Sequence, residues 1–164
     1  MSQKVFNVLF ICSGNTARSI IAEALLNQLG KGRFKAYSAG SFPKGTVNPN
    51  ALKVLEKLNV AVEGARSKSW SEFASADAPA LDFVFTVCDT AAGEPCPAWP
   101  GQPMTAHWGI EDPVAATGTP EEVLRKFMDT AVVLRRRIEL FASLPVAKLD
   151  AIGLKKELDA IGKQ

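Results

Sequence analysis

The chain has 164 residues, of which 47% are hydrophobic and 22% charged. That is the composition of one ordinary folded domain, not of a disordered or low-complexity chain. Nineteen Lys and Arg against seventeen Asp and Glu leave a net charge of +2, too small for a general pull on nucleic acid or an anionic membrane, so neither is expected as a partner. No apolar stretch reaches the roughly 18 residues a membrane span needs. Asn7 interrupts the short apolar run at the N-terminus and no small-residue cleavage site follows, so no secretory signal is read and a cytoplasmic protein is expected. Its three cysteines, Cys12, Cys88 and Cys96, form an odd set, and in a cytosolic chain such cysteines are more often reactive than structural.

In chain order, Lys4–Ile11 is a short apolar run that predicts a buried strand ending at Cys12. Ser19–Leu29 predicts a helix with Ile21, Leu25 and Leu29 on one face, closed by Gly30. Arg33–Ala39 predicts a second strand, ended by Gly40. Asn48-Pro49 is an N-cap followed by a proline at the first helical position, with Ala51, Leu55 and Leu58 facing inward. Leu81–Val87 predicts a third strand, ending at Cys88, and Pro103–Trp108 a weaker fourth. Thr119-Pro120-Glu121-Glu122 is a capping box opening a long helix with the stripe Leu124, Phe127, Ala131, Leu134, Ile138 and Phe141. Arg135-Arg136-Arg137 is read as its solvated face. Beyond Pro145, the residues Leu149, Ile152, Leu158 and Ile161 predict a short terminal helix. Strands alternating with helices imply an α/β domain on a parallel sheet, with ligands outside the carboxyl ends of the strands.

At such an end lies Cys12-Ser13-Gly14-Asn15-Thr16-Ala17-Arg18-Ser19, between the first strand and the first helix. Gly14 and Asn15 tolerate positive φ, so successive backbone N–H groups can turn inward and form an anion nest at a helix N-terminus. Arg18 adds a planar, two-pronged donor for a tetrahedral oxyanion, and Ser19 can donate to the sulfur. The same donors favour a thiolate, which makes Cys12 a candidate nucleophile. The bland alternative is a cysteine that merely packs at a strand end, with Arg18 on the surface.

These residues resemble the phosphate-binding signature of the low-molecular-weight protein tyrosine phosphatases and of the arsenate reductases, thioredoxin-coupled ones among them, built on that fold. The resemblance continues with Ser38-Ala39-Gly40 and Asp112-Pro113 and spans about residues 5–142. It implies a three-layer α/β domain with a four-stranded parallel sheet in the order 2-1-3-4. Residues 1–144 would form the phosphatase-like domain, and 145–164 a C-terminal helical extension of it. It also implies that Asp112 is the general acid that protonates the leaving oxygen, where a plain turn aspartate is the alternative.

A phosphatase needs only Cys12, Arg18 and Asp112. If the strands ending at Cys12 and Cys88 are neighbours, about 4.8 Å apart, their ends approach the Cα separation of roughly 4.4–6.8 Å that a disulfide requires. Cys96 follows after a loop with Gly93 and Pro95 that could fold back. A zinc site is disfavoured, since no C-x₂-C spacing exists and His107 is the single histidine. An inert Cys88 in the core, with Cys96 incidental, is the other reading. The likeness to the arsenate reductases implies a relay: Cys12 attacks arsenate, Cys88 attacks Cys12, and Cys96 receives the disulfide for an external reductant. Thioredoxin is the expected reductant, with glutathione and glutaredoxin as alternatives, because seven residues between Cys88 and Cys96 make that loop one longer than in thioredoxin-linked members.

No resident cofactor or metal is expected. Some members of the family bind potassium through positions matching Asn15, Glu23 and Ser38. Here Arg66-Ser67-Lys68-Ser69 puts a cation where an acidic ligand would stand, so Asn15 and Ser38 are expected to brace the loop by hydrogen bonds. The expected substrate is arsenate, with phosphate as analogue and weak phosphatase activity beside it, in a monomer. A tyrosine phosphatase is the second reading, although Val114 stands where an aromatic usually follows the Asp-Pro pair, leaving Trp99 or Trp108 to line a phenol slot. A non-catalytic oxyanion-binding protein is the third. His107 and the tryptophans Trp70, Trp99 and Trp108 are read as packing residues.

Overall fold

The structure is a computed structural model and describes residues 5–62, 64–75, 77–87 and 103–163. Cys88, Cys96 and Trp99 lie outside the described residues. Four strands, β1 (Phe6–Cys12), β2 (Phe34–Gly40), β3 (Phe83–Thr86) and β4 (Met104–His107), form one sheet. Every pairing is parallel and the order is β2-β1-β3-β4, as the resemblance implied. Val8, Leu9, Phe10 and Ile11 have no exposed surface. A central parallel strand is covered on both faces, which is why its sequence reads as an unbroken apolar run. Strand order reverses between β1 and its neighbours β2 and β3, so the carboxyl end of β1, at Cys12, is the place where such sheets open a crevice.

The helices are α1 (Arg18–Leu29), α2 (Pro49–Lys57), α3 (Pro120–Ala142) and α4 (Ala151–Ile161). Local capping sets three of their starts. Asn48 accepts from the Asn50 N–H, Thr119 from Glu122 and Asp150 from Gly153, with proline at the first position of α2 and α3. Phe127, Ala131, Leu134, Ile138 and Phe141 of α3 are buried as the stripe predicted. Phe141 meets Phe83 and Phe85 edge-on, with ring centroids 5.2 Å apart in each pair. Trp108 is fully buried and stacks on Phe85 at 4.0 Å, which bears out its reading as a packing residue.

One expectation about a helix face needs correction. Arg137 does not lie on a solvated face; it is buried and its guanidinium donates to the carbonyls of Trp108 and Gly109, each at 3.1 Å. On the helix wheel it falls beside Thr130 and Phe141, at the edge of the apolar stripe, so it points inward with them. Ile152 is the opposite case, 83% exposed, while Leu154, Leu158 and Ile161 bury the inner face of α4. That face lies against β4: the Trp108 indole N–H donates to the Leu158 carbonyl at 3.0 Å, and Lys155 Nζ donates to the Thr105 carbonyl. A Cβ on Gly162 would stand 2.5 Å from the His107 carbonyl oxygen, so only glycine allows the helix end to close on the strand. Among the described residues, no helix is long and apolar enough to cross a membrane.

Candidate active site

Cys12 is the last residue of β1 and 3% exposed. Its sulfur lies 3.1 Å from the Ser19 hydroxyl. The direction of that bond follows from the residues behind it. The Lys68 backbone N–H, which can only donate, gives its proton to Asn15 Oδ1 at 2.8 Å, so the Asn15 amide must present its NH₂ on the other side. That NH₂ donates to the Ser19 oxygen at 2.7 Å. With its oxygen already accepting, the Ser19 hydroxyl is free to aim its proton at the Cys12 sulfur.

The loop is held from outside through its carbonyls. Phe42 N–H donates to Ser13 O, Lys44 N–H to Gly14 O and Asn48 N–H to Thr16 O, at 2.9, 3.1 and 2.9 Å, and Ser67 Oγ adds a second bond to Gly14 O at 3.2 Å. In a planar trans peptide the N–H points opposite to the C=O. The N–H groups of Gly14, Asn15 and Ala17 therefore face away from the 42–48 segment. Asn15 reaches this shape at φ 49°, in the left-handed region that asparagine tolerates. Gly40 makes the close approach possible: a Cβ there would lie 2.5 Å from Ser13 O and 3.0 Å from Cys12 O. Helix α1, which follows, has Ala17 at its N-cap and no side-chain cap among the described residues, which suits the N–H groups of its first turn to an anion.

Arg18 reaches from the first turn of α1 to the second expected element. One guanidinium nitrogen donates to the Ile110 carbonyl at 3.0 Å and another stands 3.4 Å from Asp112 Oδ2. Asp112 caps a turn of 3₁₀ helix, Pro113–Ala115, by accepting from the Val114 N–H, and keeps 42% of its side chain exposed, against 13% for Arg18. The structure thus brings together Cys12, the loop to Ser19, and Asp112. Glu111, its neighbour, is exposed.

The third element is approached through its strand. β3 is the direct neighbour of β1, and Val87 N–H donates to Ile11 O at 2.8 Å. Val87, the residue before Cys88, is therefore bonded to the residue before Cys12. Cys88 and Cys96 themselves lie outside the described residues. His107 sits on β4 with Nδ1 2.8 Å from Thr86 Oγ1, a bond between adjacent strands. No group of three or more His, Cys, Asp and Glu side chains suited to a metal occurs among the described residues.

Lys68 connects Asn15, which accepts from its backbone N–H, to Glu23 and Ser38, which face its ammonium. Ser38 Oγ donates to Glu23 Oε1 at 2.6 Å, and Lys68, 7% exposed, brings its ammonium 3.3 Å from Ser38 Oγ, 3.2 Å from the Arg66 carbonyl and 3.8 Å from Glu23 Oε1. Burial pushes the Glu23 carboxyl above its ordinary range against the pull of Lys68, and pushes the Lys68 ammonium below its own against the pull of Glu23. The cation noticed in Arg66-Ser67-Lys68-Ser69 is thus an inward-facing one. Sequence reasoning missed that Lys68, Ser67 and Arg137 brace the two loops, because their partners lie 28 to 53 residues away in the chain.

Comparison with known proteins agrees with this geometry. The low molecular weight phosphotyrosine protein phosphatase family matches residues 7–150. An arsenate reductase of Halalkalibacterium halodurans is 34% identical over 142 residues, covering 87% of this chain and 97% of its own. Among solved structures, an arsenate reductase in the phosphate binding state superposes with a TM-score of 0.69 at 27% identity, covering 84% of this chain and 97% of that one. A thioredoxin-dependent arsenate reductase of Corynebacterium glutamicum reaches a TM-score of 0.58 at 28% identity, over 86% of this chain and 65% of its own. With its family match over residues 7–150 and a sheet in the order β2-β1-β3-β4, this chain belongs to the low molecular weight phosphotyrosine protein phosphatase family and is similar over most of its length to arsenate reductases built on that fold.

Proposed function

We propose that this protein is an arsenate reductase that converts arsenate to arsenite through a thiol relay. The observation that carries the reading is the pairing of β1 with β3: it joins Ile11 to Val87, the residues that immediately precede Cys12 and Cys88. The relatives named as arsenate reductases, which match nearly end to end, support the substrate. In the first step the Cys12 thiolate attacks arsenic, held by the loop N–H groups and Arg18, and Asp112 protonates the departing oxygen. The Cys88 thiolate then attacks the Cys12 sulfur. A sulfur–sulfur bond forms, the sulfur–arsenic bond breaks, and its electron pair leaves with arsenic as arsenite. Two thiols are oxidised and As(V) becomes As(III). Attack of Cys96 on Cys88 moves the disulfide outward and frees Cys12. An external dithiol reduces the Cys88–Cys96 bond; thioredoxin is the donor favoured by the Corynebacterium glutamicum neighbour, with glutaredoxin and glutathione the alternative. The protein works as a cytoplasmic monomer, with no resident cofactor or metal, residues 145–164 serving as a helical extension of the 1–144 domain.

The second reading, a tyrosine phosphatase, has the family match and the trio Cys12, Arg18 and Asp112 in its favour. Replacing Cys88 by serine separates the two. Arsenate reduction should disappear while slow hydrolysis of an aryl phosphate continues, and mass mapping of the wild type after turnover should find Cys88 joined to Cys96. Retention of full arsenate turnover in Cys88→Ser, or absence of that disulfide, would overturn the relay, and aryl phosphate hydrolysis by a wild type that reduces no arsenate would leave the phosphatase.

A further inference from the structure

We propose that the Lys68 ammonium group is a built-in cation that holds the Cys12–Ser19 loop in its anion-binding shape, making Lys68 a positioning residue. Three features of its surroundings carry this. First, the residue is stitched to the loop along its backbone: its N–H donates to Asn15 Oδ1, and its carbonyl accepts from the N–H of Gly40, the residue against which Ser13 packs. Second, its side chain turns inward, where Nζ faces oxygens from three separate parts of the fold: Ser38 of β2, Glu23 of α1 and the carbonyl of Arg66. Third, the neighbouring Arg66 guanidinium takes Glu72 as its hydrogen-bonded partner at 2.7 Å and acts on Glu23 only as a further charge, which leaves the Lys68 ammonium as the cation paired with Glu23.

Burying an ammonium is costly, and an apolar side chain of similar length would fill the space without that cost. What the lysine adds is positive charge and three donors at one point. Without it, Glu23 and Ser38 would face each other with no cation between their oxygens and the Arg66 carbonyl. The 66–68 segment would then lose its anchor, and with it Asn15, whose amide directs the Ser19 hydroxyl toward the Cys12 sulfur. The loop consequently needs no dissolved cation to take its shape.

The proposal rests on the reading of Cys12–Ser19 as an oxyanion loop and not on the reductase chemistry, so the experiment uses phosphate binding alone. Protection of Cys12 from iodoacetamide by inorganic phosphate is measured in a Cys88→Ser, Cys96→Ser background, where Cys12 is the remaining thiol. Lys68→Ala should weaken phosphate protection by roughly 10–100-fold, the loss typical of removing a group that orients the binding shell. Ammonium or methylammonium chloride should restore it, and sodium chloride of equal ionic strength should not. Unchanged protection in Lys68→Ala, or a loss that no small cation restores, overturns the proposal. Should Lys68→Ala fail to fold, exchange of sodium for potassium or ammonium on the unsubstituted Lys68 decides: indifference supports the built-in cation, and a gain in protection overturns it. Absence of phosphate protection with Lys68 intact removes the oxyanion-loop reading itself, and the proposal with it.

Discussion

The two loops that meet at Arg18 are both held through their carbonyls, but by different kinds of donor. The Cys12–Ser19 loop is gripped through its backbone by short-range hydrogen bonds from residues 42–48 and 67–68, and its key side chains Asn15 and Ser19 have no exposed surface. The loop that carries Asp112 is held through its carbonyls by two long guanidinium side chains, Arg137 at Trp108 and Gly109 and Arg18 at Ile110. Its carboxylate stays substantially in solvent. In the proposed mechanism a nucleophile at Cys12 and its oxyanion cradle require fixed geometry through the reaction, whereas a proton donor at Asp112 needs contact with water to be recharged. Rigid backbone serves the first purpose, and tethers at the flanks serve the second.

This difference can be broken from either side. The largest effect is expected at Gly40→Ala, where a Cβ would press into the Ser13 and Cys12 carbonyls. Backbone cannot yield as a side chain can, so the loop must move; about 100-fold loss of turnover is expected, as for a misplacement of about 1 Å. Stability should fall by about 1–3 kcal/mol, the usual cost of overpacking. Steady-state turnover and urea unfolding together check it, and wild-type turnover in Gly40→Ala would show that the loop is not the rigid partner. A smaller effect is expected at Arg137→Met, which leaves the Trp108 and Gly109 carbonyls without this donor and should cost about 1–3 kcal/mol. Here the alkylation rate of Cys12 should stay at the wild-type value while turnover falls, because only the acid loop is loosened. Equal loss of both would mean that the two loops form one unit.

The smallest effect concerns pH and sharpens the description of the first loop. Glu23 is raised above its ordinary 4.5 by burial, so its contribution to stability is present below pH 4.5 and declines as pH rises through the shifted value. Lys68 is lowered from its ordinary 10.5 by burial, so its contribution is present above that value and is lost as pH falls through the shifted one. Charging this pair therefore produces a shallow dip in stability between the two ranges. Thermal unfolding of the wild type and of the double substitution Glu23→Gln, Lys68→Met should differ in this way, with the dip absent from the variant. Parallel curves for the two would mean that the pair is better hydrated than its burial indicates.

Much of the fold was legible because its signals are local. The apolar run before Cys12, the Asn48-Pro49 and Thr119-Pro120 starts and the stripe through Phe141 each specify an element by residues within a few positions of one another. The resemblance carried the strand order. Within the site, Cys12, Ser19, Arg18 and Asp112 were legible as chemistry, since a thiol, a guanidinium and a carboxylate next to turn residues are conspicuous. The misreading has a physical cause. Three successive arginines look like a charged, solvated face, but the 108–109 carbonyls lying opposite draw Arg137 inward, a relation between distant residues that the helix pattern does not show.

From its sequence alone this protein's secondary structure, its candidate nucleophile and the loop around it follow, because periodicity, capping and functional-group chemistry act over a few residues. Tertiary structure alone decided that Ile11 and Val87 are hydrogen-bonded partners, that Gly40 lies against the cysteine loop, and that a buried lysine from residue 68 faces Glu23 and Ser38. Those relations join residues far apart in the chain, and only the packing of the sheet and its connections sets the distances over which their hydrogen bonds and charges act.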